Sequence, residues 1–293
     1  MKGFKMKQEK KQFSKVVIIG MGLIGGSIGK ALLEKRIALE VVGVFRRKIS
    51  LEKAIKEKSL SGGYVDDYNE ALKGAELIII ATPVNTIMRV LERLSKEVKD
   101  REVIVTDVGS TKKEIVDYAR QFRSKFIFIG AHPIAGSERT GVEYSKSGLF
   151  TGSICVLTRD RYIPRKAFAR LKSLWTALGA KVDIISPHQH DRFLAFTSHL
   201  PHAVAYALAG SESPDMAKYM ATGFRDTARI ASSDPSLWAD IFLSNRGNLL
   251  KAIKVYRERL GLIEKFVRRV DREGLRKTLK SCKGVMDAVR KED

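Results

Sequence analysis

A continuous apolar run followed by three spaced glycines limits the possible folds of this chain more than any other feature. Residues 16–19 read Val-Val-Ile-Ile, which is typical of a strand buried on both faces. The pattern G-x-G-x-x-G and a helix-forming segment follow. The segment predicts a dinucleotide site, since such glycines allow a tight turn, backbone approach to a pyrophosphate and close helix packing. A glycine-rich turn without a ligand is the alternative. The predicted cofactor-binding residues are Gly20, Gly22, Leu23, Ile24 and Gly25.

The hydrophobic pattern divides the chain into two parts. Strand and helix patterns alternate through residues 15–186, which predicts an α/β domain with a parallel, doubly wound sheet of the Rossmann type. Strand patterns end there, and residues 187–293 predict an all-α domain. Residues 1–14 are basic and polar, and we expect a disordered tail over them.

An apolar series with helical spacing runs from Trp238 to Val267 in the second part. A single helix over residues 236–271 would be about 54 Å long. Because a small domain cannot cover a helix of that length, the pattern predicts a homodimer formed through the all-α domain. Pro201 interrupts an earlier helical pattern and is expected to kink that helix.

Composition limits the partners and the compartment. The chain carries 54 Lys and Arg against 33 Asp and Glu, a net charge of +21 that is spread along the sequence. We expect a solvated basic surface that attracts anionic substrates, and no nucleic-acid partner. No apolar run approaches the roughly 20 residues that span a bilayer, so no membrane partner is expected. The two cysteines show no metal or disulfide spacing, which favours a reducing cytoplasm.

Polar residues follow the ends of three predicted strands. Thr82 and Pro83 follow one strand, Ser110 follows the next, and His132 follows a third. Because ligands of open α/β sheets bind beyond the carboxyl ends of the strands, we expect these residues to meet the glycine loop in one crevice. Thr82 and Pro83 would then lie against the cofactor. Ser110 is also a candidate N-cap of the helix that follows it.

The end of the second predicted strand bears on the choice of cofactor. Proteins that prefer NAD usually carry Asp or Glu there, where the acid binds the ribose 2′-hydroxyl. Phe45 occupies that position here, and Arg46 and Arg47 follow it. Cations suit the 2′-phosphate that only NADP carries, so we expect NADP, with NAD possible. Arginines that face solvent or stack on adenine are the alternative.

Five segments resemble the prephenate dehydrogenase family, which includes arogenate and cyclohexadienyl dehydrogenases. They read VVIIGMGLIGGSIGKAL, TDVGSTK, GAHPIAGSERTGVE, HDRFLAFTSHLPHAVAYAL and GFRDTARIASSDPSLWADIF, and the match covers nearly the whole chain. The resemblance implies a Rossmann domain followed by a helical dimerisation domain. It also implies oxidation of prephenate by hydride transfer to a nicotinamide cofactor, with loss of CO2, to give 4-hydroxyphenylpyruvate in tyrosine biosynthesis.

The resemblance also implies roles for particular residues. His132 matches the catalytic histidine, and a neutral imidazole is well suited to accept the hydroxyl proton of the substrate. Ser110 matches the serine that bridges the substrate hydroxyl, that histidine and the nicotinamide. Arg229 matches the arginine that binds a substrate carboxylate, which a guanidinium can grip bidentately. The other implied substrate-binding residues are His202, Ser137, Glu138, Trp238 and Arg225, the last of which reaches the neighbouring subunit's site.

Other interpretations remain open. Arogenate, with an amino group in place of the side-chain keto group of prephenate, is the nearest alternative substrate. A 3-hydroxyacid dehydrogenase would share the fold but would leave His132 without a purpose. A non-catalytic module that binds NADP or nucleic acid would explain only the glycine loop and the charge. A metal enzyme could use His188, His190, Asp191, His199 and His202.

Overall fold

The computed structural model describes residues 12–136 and 139–289, and an eight-stranded sheet organises the first part of the chain. The strands are β1 (Phe13–Ile19), β2 (Ala38–Phe45), β3 (Gly62–Val65), β4 (Leu77–Ile80), β5 (Ile104–Asp107), β6 (Ile127–Pro133), β7 (Ile154–Thr158) and β8 (Lys181–Ile185). Their order is β3-β2-β1-β4-β5-β6-β7-β8. The order reverses between β1 and β4, and such a reversal opens a crevice at the carboxyl ends of the strands.

Helices cover both faces of this sheet, as the alternating pattern predicted. They are α1 (Leu23–Glu34), α2 (Lys48–Lys56), α3 (Tyr68–Leu72), α4 (Val84–Glu97), α5 (Lys113–Ala119) and α6 (Arg165–Ala177). Successive side chains of a strand point to opposite faces, so Val16 and Ile18 belong to one apolar cluster while Val17 and Ile19 belong to the other. The central strands are therefore buried on both sides, which their continuous apolar sequence requires.

Two strands, β7 and β8, depart from the predicted parallel arrangement. β7 pairs antiparallel with β6 and parallel with β8. A parallel pair needs a crossover connection that usually contains an α-helix. The described residues between β6 and β7 contain only a short 3₁₀ turn, Val142–Tyr144. The prediction of an entirely parallel sheet was wrong at this edge because that crossover helix is missing.

The sheet begins earlier than predicted. Residues 1–11, most of the expected tail, lie outside the described residues, but β1 already starts at Phe13. The Phe13 ring is buried beneath the guanidinium of Arg170, 4.4 Å from its centroid. The side chain of Gln12 also donates to the carbonyl oxygen of Arg170 at 2.6 Å. These contacts hold the segment that the polar sequence had assigned to the tail.

The second part of the described chain is helical, as predicted. Its helices are α7 (Pro187–Leu194), α8 (Leu200–Gly210), α9 (Thr222–Ala228), α10 (Pro235–Ser244), α11 (Arg246–Arg268) and α12 (Arg272–Val289). A π-helical turn, Ala195–His199, separates α7 from α8 and precedes Pro201. None of the helices that the structure describes is long and apolar enough to cross a membrane.

The predicted single helix over residues 236–271 is wrong, because Asn245 divides it into α10 and α11. Asn245 has φ −114° and ψ 28°, outside helical geometry. Its side-chain amide donates to the backbone oxygen of Asp191 at 2.7 Å, which ties the break to α7. The 23 residues of α11 still extend about 35 Å. Only Leu249 and Ala252 of α11 are buried in one chain.

Candidate active site

The glycine loop joins β1 to α1 at the carboxyl edge of the sheet. Gly20 has φ +98°, and a Cβ there would lie 2.6 Å from the carbonyl oxygen of Ala81. A Cβ on Gly25 would fall 2.0 Å from the carbonyl oxygen of Gly20. Around Gly22, by contrast, no described atom lies within 4 Å of the corresponding position. The loop thus has the tight turn, the close packing and the open backbone face that suit a pyrophosphate.

A cleft of about 590 Å³ opens on one side of the loop. Arg46 and Arg47 line it, together with Arg89 and Arg93 of α4. Asp66 is the one carboxylate among its described lining residues, and it accepts a hydrogen bond from Arg93 at 2.8 Å. The cleft is therefore strongly positive.

Phe45 ends β2 as part of the core. It is buried, and its ring lies against Gly43 and Gly63, where an added Cβ would come within 2.5 and 3.0 Å of ring atoms. The place expected for a ribose-binding acid is therefore filled by an apolar side chain. Arg46 and Arg47 follow at once on the exposed rim.

Thr82 and Pro83 lie between this cleft and a second one, and Gly22 and Ala81 also line both. The Thr82 hydroxyl is buried and has no hydrogen-bond partner among the described residues. Leaving such a group unpaired is costly, so a ligand that crosses from one cleft to the other would satisfy it. The open Gly22 backbone and the orphaned Thr82 hydroxyl fit a bound dinucleotide.

The second cleft, of about 690 Å³, lies between the strand ends and the helical part. Ser110 and His132 line it from the sheet, and His202, Arg229 and Trp238 line it from the helices. The structure thus brings these predicted site residues together. The predicted cofactor-binding residues that also line it are Gly22, Leu23, Ile24, Thr82 and Pro83.

Other predicted substrate-binding residues lie elsewhere or outside the described residues. Arg225 lies outside the second cleft, in an open depression that it shares with Arg229. Both arginines are exposed. Among the described residues, no carboxylate forms an ion pair with Arg229. Ser137 and Glu138 lie outside the described residues.

His132 heads a chain of hydrogen-bonded side chains. Its Nδ1 atom lies 2.8 Å from Nε2 of His190, and Nδ1 of His190 lies 2.7 Å from Oδ1 of Asp191. Burial is the main cause that holds the pKa of His132 well below its ordinary value, and the Lys112 charge acts in the same direction. His132 is consequently neutral at physiological pH and can accept a proton.

Asp191 caps the N-terminus of α5 from a distant part of the chain. Its carboxylate accepts the backbone N–H of Lys112 at 2.7 Å and that of Lys113 at 2.9 Å. Burial opposes ionisation, but the hydrogen bonds from His190 and these two N–H groups lower the pKa of Asp191. The expectation that Ser110 caps this helix was wrong, because α5 begins at Lys113 and Asp191 supplies the acceptor.

A buried ion pair lies close to the loop that carries Ser110. The Lys112 ammonium contacts the Asp107 carboxylate, and both side chains are fully buried. Asp107 also accepts the backbone N–H of Gly109 at 2.9 Å. Burial raises the pKa of Asp107, against the effect of Lys112. Breaking such a pair costs about 3–5 kcal/mol, so it holds the loop in place.

Aromatic rings form the helical wall of the second cleft. The His202 and Trp238 rings stack with centroids 3.4 Å apart and planes 20° apart. Nδ1 of His202 donates to the backbone oxygen of Ser198 at 3.0 Å, and burial lowers the pKa of His202. Trp238 is therefore both a buried core residue and part of the cleft wall.

The metal cluster considered from the sequence does not form within the part of the chain that the structure describes. No group of three or more His, Cys, Asp or Glu there could hold a metal ion. His190 has both ring nitrogens in hydrogen bonds, and His199 accepts one from Asn245 at 3.2 Å. His188 is exposed on α7.

Sequence reasoning missed the groups that support His132. It considered His190 and Asp191 only as metal ligands, and it gave no role to Lys112 or Asn245. The sequence did contain one signal for these groups. Ser186 and Gln189 form a capping box that marks a helix start, and an adjacent His-Asp pair follows in the first turns of that helix. Nothing in the sequence indicated that Lys112 is buried.

Comparisons with known proteins agree along nearly the whole chain. Residues 28–184 match the family described as prephenate dehydrogenase, nucleotide-binding domain, and residues 186–281 match prephenate dehydrogenase, dimerization domain. Prephenate dehydrogenase of Bacillus subtilis strain 168 is 35% identical over 285 residues, which cover 94% of this chain and 76% of that protein.

Solved structures are similar over the same extent. Prephenate dehydrogenase from Aquifex aeolicus, in complex with hydroxyphenyl propionate and NAD+, superposes with a TM-score of 0.88 at 32% identity and covers 97% of this chain and 100% of that chain. Arogenate dehydrogenase from Synechocystis has a TM-score of 0.79 at 31% identity and covers 94% of this chain and 99% of that chain.

Proposed function

This chain belongs to the prephenate dehydrogenase family, and we propose that it oxidises and decarboxylates prephenate to 4-hydroxyphenylpyruvate in tyrosine biosynthesis. One observation carries the proposal. Ser110 and His132 from the sheet face the same cleft as His202, Arg229 and Trp238 from the helical part, next to the glycine loop. The cleft thus combines a neutral base, a hydroxyl, a cation and an aromatic wall.

His132 is the proposed general base. The hydroxyl proton of the substrate passes to its imidazole as the ring carbinol becomes a carbonyl, and the lowered pKa keeps that imidazole unprotonated beforehand. The Gly22 backbone and the Thr82 hydroxyl would hold a nicotinamide dinucleotide, which would supply the hydride acceptor. Ser110, which does not cap α5, is the proposed hydrogen-bond partner of the same substrate hydroxyl. The electron pair of the bond to CO2 then completes the aromatic ring, whose oxygen regains the proton.

Arg229 is the proposed partner of a prephenate carboxylate. It lines the cleft and is exposed, and a guanidinium can grip a carboxylate through two parallel hydrogen bonds. His202 and Trp238 offer a stacked surface to the substrate ring. Ser137 and Glu138 remain proposed contributors at the same entrance, and Arg225 a proposed contributor to the partner's site.

NADP is the proposed cofactor. Four arginines against one described carboxylate line the first cleft, and Phe45 fills the place of an acid that would repel a 2′-phosphate. Arg46 and Arg47, directly after β2, are the proposed phosphate ligands. These features support NADP over NAD.

A homodimer is the proposed assembly, with residues 15–186 and 187–293 as the proposed domains. Leu243, Leu250, Leu260 and Val267 are 53–70% exposed along α10 and α11. Large apolar side chains left exposed on neighbouring helices favour an interaction surface. The match of residues 186–281 to a dimerization domain supports a second copy as the occupant. Cys155 and Cys282 are unpaired thiols, which supports the cytoplasm as the compartment.

Kinetic assays of both candidate substrates test the proposal. Purified enzyme is supplied with prephenate or arogenate, each with NADP+ or NAD+, and reduced nicotinamide and CO2 are measured together. We expect prephenate with NADP+ to give the highest kcat/KM and equimolar CO2. A higher kcat/KM for arogenate than for prephenate would mean that arogenate is the preferred substrate.

A further inference from the structure

Asp191 determines which nitrogen of His190 carries its proton. The Asp191 carboxylate accepts the backbone N–H groups of Lys112 and Lys113 as well as a hydrogen bond from the His190 ring. An ionised carboxylate only accepts, and two backbone donors favour the ionised form. Nδ1 of His190 must therefore carry the proton, and Nε2 of a neutral His190 must be an acceptor.

The same reasoning extends to His132. Nε2 of His190 lies 2.8 Å from Nδ1 of His132, so this Nδ1 has to donate. A neutral imidazole has one N–H, which leaves Nε2 of His132 without a hydrogen. Since His132 lines the substrate cleft, Nε2 is the ring atom that can take a proton there.

We propose that His190 and Asp191 are positioning residues that hold His132 in the tautomer with a hydrogen on Nδ1 and a basic Nε2. The proposal rests on the proposed function, whose base it describes at the level of one atom. The substrate proton moves from the hydroxyl oxygen to Nε2 of His132, and both ring nitrogens then carry hydrogen. No proton passes to His190 or Asp191. The resulting His132 imidazolium donates a hydrogen bond to Nε2 of His190. The negative charge of Asp191, on the far side of His190, stabilises it.

The two parts of the chain meet in this arrangement. His132 belongs to β6, while His190 and Asp191 belong to α7, the first helix after the sheet. Asn245, at the break between α10 and α11, holds the backbone of Asp191 in place at 2.7 Å. The helical part therefore sets the protonation pattern of a residue on the sheet.

The direct test is the position of the ring hydrogens. Nitrogen-15 NMR of histidine-labelled wild-type enzyme distinguishes the two tautomers, and the His132 signals are those missing from His132→Asn. We expect hydrogen on Nδ1 of both His132 and His190. Hydrogen on Nε2 of His132 in the wild type would overturn the proposal, and this result does not depend on turnover. A failure of the wild type to oxidise prephenate would instead refute the proposed function.

Two substitutions of His190 separate positioning from packing. His190→Gln keeps an oxygen that can accept from His132 and an amide that can donate to Asp191, whereas His190→Leu fills the site without an acceptor. We expect kcat of His190→Gln to stay within about tenfold of wild type and kcat of His190→Leu to fall by about 10²-fold, with KM little changed in both.

The control for these variants is His188→Leu, which removes an exposed histidine from the same helix and should leave kcat unchanged. Thermal unfolding of each variant shows whether it is folded. Equal kcat in folded His190→Gln and His190→Leu would contradict the proposal, because packing alone would then explain the residue. If His190→Leu does not fold, the position of the His132 ring hydrogen in the wild-type NMR spectrum still tests the proposal.

Discussion

The side-chain amide of Asn245 donates to Nδ1 of His199 at 3.2 Å, at the point where α10 ends and α11 begins. Because Nδ1 accepts this hydrogen bond, neutral His199 carries its hydrogen on Nε2. Burial is the main cause that lowers the pKa of His199 to about 4. A proton on Nδ1 would face the Asn245 N–H, so protonation of His199 breaks this hydrogen bond.

Stability should therefore fall as the pH is lowered through this range. The unfolded chain binds a proton at His199 below the ordinary histidine pKa of 6.5, while the folded chain does so only below about 4. The contribution of neutral His199 to the free energy of unfolding is therefore fully present above pH 6.5. It decreases by roughly 3 kcal/mol as the pH falls from 6.5 to about 4. Urea unfolding across this pH range should show a smaller pH slope for His199→Gln than for wild type. His188→Gln, at an exposed position, should retain the wild-type slope, and an unchanged slope in His199→Gln would refute the assignment.

Replacing the proposed base should affect turnover alone. His132→Asn keeps a polar side chain but cannot accept the proton with the same basicity. We expect kcat to fall by about 10²-fold or more while the dissociation constants of cofactor and substrate stay within a few-fold. Single-turnover kinetics and calorimetric titration measure the two effects separately. Near-normal turnover would remove His132 from the mechanism.

Removing Arg229 should weaken substrate binding specifically. A charge-assisted contact to a carboxylate is worth about 1.5–3 kcal/mol, so Arg229→Ala should raise KM for prephenate by about 10- to 100-fold. The affinity for NADP should not change. Arg192→Ala, which removes an exposed cation of α7 outside the cleft, is the control and should leave KM unchanged. If KM is also unchanged in Arg229→Ala, the carboxylate binds elsewhere.

The arginines after β2 should determine the choice of cofactor. We expect wild-type enzyme to prefer NADP by about 10- to 100-fold in kcat/KM, from contacts of Arg46 or Arg47 to the 2′-phosphate. Arg46→Ala combined with Arg47→Ala should remove most of this preference and leave activity with NAD nearly unchanged. Lys53→Ala, on the exposed face of α2, should have no effect. A wild type that uses NAD better would mean that both arginines face solvent.

The exposed apolar face of α11 should be buried between two copies of the chain. Light scattering at micromolar concentration should give twice the mass of one chain. Leu260→Glu places a charge on that face and should shift the equilibrium toward the monomer. Leu39→Glu changes an equally exposed leucine on β2 and should leave the dimer intact. A wild type with the mass of one chain would contradict the assembly.

The sequence predicted those features that depend on local pattern. The buried strands, the glycine loop and the position of Ser110 beyond β5 all follow from hydrophobic period and spacing, and the structure contains them. His132 was predicted just after a strand and instead lies near the carboxyl end of β6, which continues to Pro133. The start of α10 was equally predictable, because Asp234 caps it and Pro235 follows.

Features that depend on distant contacts could not be predicted in this way. The cap of α5 comes from Asp191, 79 positions from Lys112, and no local signal connects them. The helix breaks at Asn245 although the apolar spacing continues through it. The hydrogen bonds that the Asn245 side chain donates to Asp191 and His199 stabilise the break more than an uninterrupted helix would be stabilised. Ser110 was assigned to the cap for the same reason: a local candidate was visible and the distant one was not.

The most direct test of the whole account is the stoichiometry of a single reaction. Purified enzyme is mixed with prephenate and NADP+, and reduced nicotinamide, CO2 and 4-hydroxyphenylpyruvate are measured in one vessel. The account predicts equal amounts of all three products from the wild-type enzyme. His132→Asn should form each of them much more slowly. Reduction of the cofactor without CO2, or no reduction with any combination of prephenate, arogenate, NADP+ and NAD+, would contradict it.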